Sequence, residues 1–364
     1  VDRRQRQMCI RDRRMDEKFS GEMMKARLIY NPTSGQEIIK KHIADILDKL
    51  EQYGYEASAY QTTAEQDSAK KEAARATQAG FDLIIAAGGD GTINEVVAGI
   101  SPFEKRPRLA IVPTGTTNDF ARALKIPRGK PLEAIEIIGK NQILNIDVGH
   151  AIIKETKDEQ YFINIAAGGG LTELTYSVPS HLKTAFGYLA YLAKGAELLP
   201  RVRKAPVRVV HDEGVFEGDI SMFFAALTNS VGGFEKIAPD AKLDDGLFTL
   251  ILVKTDNLFE LIALLAIVAN GKHLDDVNLE YIKTSKIEIE ALGGQSILLN
   301  LDGEYGGDAP VQFDNLKGHL DMYVNLDEIN DDHYIGDEET LALEAVAQKF
   351  AEEANKIKDE DETD

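Results

Sequence analysis

The chain has 364 residues, 43% of them hydrophobic and 28% charged, the balance of a soluble globular protein long enough to bury the cores of two domains. Its net charge of -20 excludes general nucleic-acid binding, which rests on Lys and Arg neutralising phosphates, and confines any contact with an anionic membrane to a local basic patch. The single cysteine, Cys9, excludes an internal disulfide and a Cys-based zinc site and fits a reducing cytoplasm, and none of the 7 histidines has metal spacing with another.

Residues 1–23 stand apart. Arg3, Arg4, Arg6, Arg11, Arg13 and Arg14 crowd together without apolar periodicity, so this stretch is expected to be disordered or a non-native extension, with natural initiation at Met23 or Met24. From Lys25 to about Gly139, apolar runs alternate with helical ones. Strands are predicted at Ala26 to Tyr30, Glu56 to Gln61, Phe81 to Ala87 and Leu109 to Val112. Helices are predicted at Glu37 to Tyr53, Glu65 to Ala79, after Thr92, from about Asn118, and at Pro131 to Ile138. Such alternation predicts an α/β domain over 24–145, a parallel sheet covered by helices, with ligands at the carboxyl ends of the strands.

Beyond Asn145 the chain becomes strand-rich: Ile146 to Ile153, Tyr161 to Ala166, Val207 to Val210, Ser221 to Leu227, Phe248 to Val253, Lys286 to Ala291, Ser296 to Leu301 and Gly318 to Val324. These predict a second domain over 146–329, mainly an antiparallel β-sandwich, interrupted by helical inserts at Leu182 to Leu199 and Asn257 to Asn270. Neither insert has the roughly twenty apolar residues that a bilayer span needs. Tyr188 to Leu199, followed by Arg201, Arg203 and Lys204, suits either an interfacial helix or a core helix. The acidic segment 330–364 places Leu343, Val346, Ala347, Phe350, Ala354 and Ile357 on one helical face, for a partner or for the protein's own body, and then ends in charged residues.

The densest signal is Gly88-Gly89-Asp90-Gly91-Thr92-Ile93-Asn94-Glu95. Three glycines beside a carboxylate let a phosphate approach the backbone, and Thr92 and Glu95 have the spacing of a reciprocal helix cap. The stretch reads as strand, anion loop and helix N-terminus, or as a tight turn with no ligand. Asn31-Pro32-Thr33-Ser34-Gly35 and Pro113 to Thr117 also follow strands, so all three should converge on one edge. Asp90 could hold Mg²⁺ or cap its own loop. No Lys-Ser/Thr follows the glycine loop, so an ordinary P-loop is excluded.

Together with Pro113-Thr114-Gly115-Thr116-Thr117-Asn118-Asp119-Phe120-Ala121-Arg122 and Leu301-Asp302-Gly303-Glu304, these segments resemble the diacylglycerol kinase catalytic superfamily over about Lys25 to Asp327. Ala238 to Gly246 and Gly303-Glu304-Tyr305-Gly306-Gly307 bring the resemblance closest to the soluble enzymes of Gram-positive bacteria. It implies an ATP- and Mg²⁺-dependent lipid kinase that makes phosphatidate from diacylglycerol. The nucleotide would be bound by Asn31, Pro32, Thr33, Ser34, Gly35, Thr62, Gly88, Gly89, Asp90, Gly91, Thr92, Ile93, Asn94 and Thr116. Glu304 would be the general base, Asp119 part of a charged network at the transferred group, and Asp302 a tuning group or metal ligand. A second Mg²⁺ would sit on Asp245 and the main chains of Lys242 and Leu247, in a stretch whose Asp-Gly also suits a hairpin, and would connect to Asp119 and Glu304. The relatives' lysine after Gly35 is here Gln36, which leaves Lys40 or Lys41 as candidate substitutes. The expected setting is cytoplasmic, peripheral at a membrane containing diacylglycerol, without nucleic acid and with a homodimer left open. The rival readings are a kinase for another hydroxyl lipid, an NAD kinase, and a non-catalytic nucleotide-binding regulator on the same fold.

Overall fold

The structure, a computed structural model, describes residues 23–115, 118–170, 203–228, 241–255 and 278–329. The arginine-rich start, both helical inserts and the acidic tail lie outside them, as does Thr116. In the first half, β1 (Met24–Tyr30) leads through a 3-10 helix (Ser34–Lys41) to α1 (Ile43–Gln52), followed by β2 (Tyr55–Gln61), α2 (Ser68–Gln78), β3 (Leu83–Gly88), α3 (Asp90–Ile100), β4 (Arg108–Pro113), α4 (Asp119–Ala123) and α5 (Pro131–Lys140). The strands lie in the order β2-β1-β3-β4, all parallel. β3 is buried along its whole length, which explains its unbroken apolar run.

Two helices differ from expectation. The single helix anticipated from Glu37 breaks at His42, because Gly35 and Glu37 adopt left-handed φ of 55° and 64° and the chain leaves the first loop as a 3-10 turn. The helix anticipated from Glu65 starts instead at Ser68, after Asp67 at φ 59° and a turn closed by Thr63 N–H donating to Ser68 Oγ at 2.9 Å.

The second half comprises β5 (Ile143–Ile153), β6 (Glu159–Phe162), β7 (Ile165–Gly169), β8 (Ala205–His211), β9 (Gly214–Ile220), β10 (Met222–Ala226), β11 (Phe248–Val253), β12 (Leu279–Thr284), β13 (Lys286–Ala291), β14 (Leu298–Leu301), β15 (Glu304–Asp308), β16 (Val311–Tyr323) and α6 (Leu326–Ile329). One layer continues the first sheet as β4-β16-β13-β8-β9, with β5 on β16 and β6 on β5. The other is a six-stranded sheet, β12-β11-β10-β7-β14-β15, antiparallel throughout. Phe162, Phe223, Phe248 and Phe313 pack in the core between the layers, with ring centroids 5.8 to 6.2 Å apart along the chain of contacts. The α/β plus antiparallel-sandwich architecture read from the sequence is therefore present.

β16 joins the two halves. Val311 and Phe313 belong to the sandwich core, while Leu320, Met322 and Tyr323 belong to the α/β core, where Met322 pairs with Leu109 of β4. The buried Tyr323 hydroxyl lies 2.9 Å from that of Tyr55 and accepts from Arg108 Nη1 at 3.1 Å, which ties the end of β16 to β2 and β4. Between these anchors β16 bulges: Leu316 faces Val148 and Leu320 faces Ile146, so residues 317–319 stand against Asp147 alone.

Candidate active site

The loops after β1, β3 and β4 meet as expected. Asn31 N–H donates to Ala87 O and Thr114 N–H to Gly88 O, both at 2.9 Å, and Thr114 Oγ1 donates to Ser34 Oγ at 3.1 Å. Their approach requires glycine. A Cβ on Gly35 would lie 2.0 Å from Thr114 O, one on Gly115 2.6 Å from Gly89 Cα, and one on Gly88 2.5 Å from Thr92 Oγ1. Asn31 Oδ1 accepts from Thr33 N–H and Thr33 Oγ1, fixing the first loop, while Pro32 and Thr62 are half-buried beside the same strand ends. Thr62 N–H donates to Tyr30 O at 2.9 Å. Lys40, a candidate substitute for the missing lysine, pairs with Glu37 at 3.1 Å.

The reciprocal cap expected between Thr92 and Glu95 does not form. α3 starts three residues earlier than that cap implies, at Asp90, with Gly89 as its N-cap. Thr92 is buried against Gly88, and Ile93 has its side chain in the core, leaving only its backbone at the loop. Glu95 instead caps the neighbouring helix: its Oε2 accepts from Ala69 N–H at 2.8 Å and Lys70 N–H at 3.4 Å at the start of α2.

Asp90 Oδ2 accepts from Asn118 N–H at 2.9 Å, whereas Asp90 Oδ1 is buried and has no partner among the described residues. Asn118, fully buried at a left-handed φ of 48°, donates from Nδ2 to Gly88 O at 3.3 Å, and its own Oδ1 is buried with no partner among the described residues. Asn118 is thus a pin between the second and third loops. Burial, and then the negative charge of Asp119 at the first position of α4, push the Asp90 carboxyl up to about 7. Two orphaned, hard oxygen atoms beside a glycine cradle are a donor set that fits Mg²⁺.

The turn bearing Glu304 faces this cluster. Asn94 Nδ2, one turn into α3, donates to Asp302 O at 3.4 Å. Asp302 does not share a strand face with Glu304. It sits at φ 49° between β14 and β15, and its two oxygens accept the N–H groups of Ile163, Asn164 and Ile165 at 2.7, 2.9 and 2.8 Å. Those N–H groups are freed where the strand expected from Tyr161 to Ala166 breaks into β6 and β7. Desolvation pushes Asp302 up to about 6 despite the three donors. Glu304 opens β15, opposite Leu301, and is exposed.

Two family descriptions match the chain: the diacylglycerol kinase catalytic domain over residues 25–151, and the YegS C-terminal NAD kinase beta sandwich-like domain over 169–324. The chain is 51% identical over 304 residues to the diacylglycerol kinase of Bacillus subtilis strain 168, covering 83% of this chain and 97% of the relative. The chain belongs to the diacylglycerol kinase family. It is 46% identical over 314 residues to the diacylglycerol kinase of Staphylococcus aureus strain Newman, covering 85% of this kinase and 96% of that one. A crystal structure of a diacylglycerol kinase from Bacillus anthracis strain Sterne aligns with a TM-score of 0.62 at 26% identity, covering 84% of this chain and 98% of that chain. Another chain from that strain reaches a TM-score of 0.70 at 27% identity, over 85% and 99%.

In this kinase the loop proposed for a second metal is organised by a carboxylate that the sequence did not single out. Asp147, buried on β5, accepts from Gly246 N–H at 2.6 Å and from Gly318 N–H, freed by the β16 bulge, at 2.8 Å, and its own N–H donates to Leu243 O at 2.7 Å. Asp245 Oδ1 accepts from Leu247 N–H at 2.9 Å, an Asx turn of its own. Burial first, and the Asp245 charge as a lesser contribution, raise the Asp147 carboxyl. Among the described residues, no three His, Cys, Asp or Glu side chains group to hold a metal. The expected donors Lys242, Asp245 and Leu247 offer one carboxylate with main-chain carbonyls. The Ile146-Asp147-Val148 run, a lone acid in a buried strand, was the available signal for Asp147.

Proposed function

We propose that this kinase transfers the γ-phosphoryl group of ATP to the free hydroxyl of diacylglycerol, yielding phosphatidate and ADP, with Glu304 as general base. The observation that carries this reading is the joining of two halves: the glycine cradle of Gly35, Gly88 and Gly115 is tied through Asn94 on α3 to the turn that presents Glu304. The lipid oxygen would bond to phosphorus as the bridge to the β-phosphate breaks, and its proton would pass to a Glu304 carboxylate oxygen.

Asn31 to Gly35, Thr62, Gly88 to Asn94 and Thr116 would line the nucleotide, with Ile93 contributing backbone alone. Asp90 with the Asn118 carbonyl oxygen would hold Mg²⁺, which when bound supplies charge neutralisation of the phosphates. Asp119 adds negative charge beside that position, which favours a cation there. At the second loop, two neighbouring carboxylates, Asp147 and Asp245, favour a cation held by Asp245 and the main-chain carbonyls of Lys242 and Leu247. Diacylglycerol is membrane-borne, so the reaction would take place at a bilayer surface. Among the described residues no helix is long and apolar enough to cross a membrane, and Arg203, exposed before β8, would face the lipid headgroups.

The test is a labelled-ATP assay on a panel of hydroxyl lipids in mixed micelles. Phosphatidate is expected from diacylglycerol, and Glu304→Gln should lower its formation by roughly 10²-fold or more at unchanged ATP affinity. ATP binding without any phosphorylated lipid would overturn the kinase assignment, and preference for a sphingoid base or phosphatidylglycerol would overturn the substrate. Near-normal turnover by Glu304→Gln would remove Glu304 from the base role alone.

A further inference from the structure

Glu304 is exposed, and its side chain holds no hydrogen bond or ion pair among the described residues, so nothing at its own carboxylate orients it. Its placement is set by the main chain of the turn before it. That turn is held at every group of Asp302: the N–H donates to Ile165 O at 2.9 Å, the C=O accepts from Asn94 Nδ2, and the carboxylate takes three main-chain N–H groups. One residue on, Gly303 N–H donates to Asn300 Oδ1 at 2.8 Å. We infer that Asp302 is a positioning residue, whose carboxylate, by gathering the N–H groups of Ile163, Asn164 and Ile165, fixes the turn that delivers Glu304 to the nucleotide loops.

This inference rests on the reading of Glu304 as base. Three features separate it from a plain turn role. A two-residue turn at positive φ needs a residue tolerant of that conformation, which Asn or Gly supplies without a buried charge. The N–H groups that Asp302 collects come from the β6–β7 break, far along the chain, so the carboxylate locks the Glu304 turn to the centre of the six-stranded sheet. That lock is itself anchored: Thr228 Oγ1 donates to Asn164 Oδ1 at 2.8 Å and Leu227 N–H to Asn164 O at 2.8 Å, both at the end of β10. Meanwhile Asn94 ties the same turn to α3, the helix that begins in the glycine loop. The distance between base and phosphoryl donor is therefore governed by Asp302, which touches neither.

A double-mutant cycle tests this with kcat and the KM for ATP measured separately. Asp302→Asn turns an NH₂ group toward N–H donors and loosens the turn. It should lower kcat by about tenfold or more with KM for ATP little changed, because a displacement of around 1 Å at a reacting group is that costly. In a Glu304→Gln background it should add little further loss, since there is no base left to misplace. Asn300→Ala removes the Gly303 contact and spares the Asp302 carboxylate. It should give a smaller kcat loss, again absent in the Glu304→Gln background, and decides the question if Asp302→Asn does not fold. Losses that multiply with Glu304→Gln, or normal kcat in both turn variants, would overturn the positioning role while leaving Glu304 as base. A fully active Glu304→Gln would overturn both.

Discussion

Gly115→Ala is the most direct probe of the cradle. The added Cβ would stand 2.6 Å from Gly89 Cα and 3.1 Å from Asn118 Oδ1. Carbon atoms rest at about 3.5–4.0 Å, so two stretches of backbone must separate by about 1 Å, with no flexible side chain to absorb the change. Overpacking of this kind costs about 1–3 kcal/mol, and at about 2–4 °C per kcal/mol the melting temperature should fall on the order of 2–12 °C. The Asn118 to Gly88 contact, already 3.3 Å, would lengthen, and ATP affinity should fall by about tenfold or more as the loop N–H groups leave their common focus. Thermal unfolding with and without ATP, together with a titration of the nucleotide, measures both. Gly91→Ala serves as the stability contrast, because a Cβ there meets nothing within 4 Å, and an alanine in a helical turn should hold or slightly raise the melting temperature. If Gly115→Ala melts and binds ATP like the unaltered protein, the loops do not form a close-packed nucleotide cradle.

Asp90 carries a pH signature. Its carboxyl is raised from 3.8 to about 7, so between about pH 4 and 7 the folded chain keeps a proton that the unfolded chain has lost, and the stability of the unliganded protein falls as pH rises through that window. Asp90→Asn cannot ionise, so in metal- and nucleotide-free buffer its melting temperature should gain on the unaltered protein from pH 4 to 7 and hold that lead above; a lead constant with pH would disprove the buried-charge account. At the second loop, Asp245→Ala should lower turnover while leaving ATP affinity close to normal. Anomalous density at Asp245 in a crystal soaked with Mn²⁺ should accompany it, and an empty loop with an active Asp245→Ala enzyme would reduce the stretch to a turn.

Much of this fold is written locally. The apolar run from Leu83, buried on both faces, and the glycine loop after it identify a central parallel strand and its ligand edge without knowledge of distant residues. The strands that escaped notice, β9, β12 and β15, are each at a sheet edge. An edge strand buries less of itself: along Gly214–Ile220 only Ile220 is buried and Gly218 leaves a gap on the inward face, so the apolar period is short. Glu95 misled for a different reason. Its spacing from Thr92 satisfied a local capping rule, yet its carboxylate found N–H groups on α2, more than twenty positions away.

Asp147 and Asp302 show where a one-dimensional pattern runs out. Each is a carboxylate between apolar or glycine neighbours, and each meets main-chain N–H groups freed where a strand is interrupted: Gly318 at the β16 bulge for Asp147, and Ile163 to Ile165 at the β6–β7 break for Asp302. An unpaired N–H in a packed sheet is costly, and a buried carboxylate without donors is costlier. Each defect offsets part of the other, although burial still holds both carboxyls above their ordinary range. The same pairing stiffens two loops. Asp147 holds Gly246 of the Lys242 to Leu247 loop against the bulge, and Asp302 holds the Glu304 turn against the sheet. Each acid accepts its bonds in full before any ligand arrives, so the geometry it imposes is preorganised rather than induced. Catalysis by positioning needs that rigidity, since a base that swings freely contributes little to a barrier set by proximity.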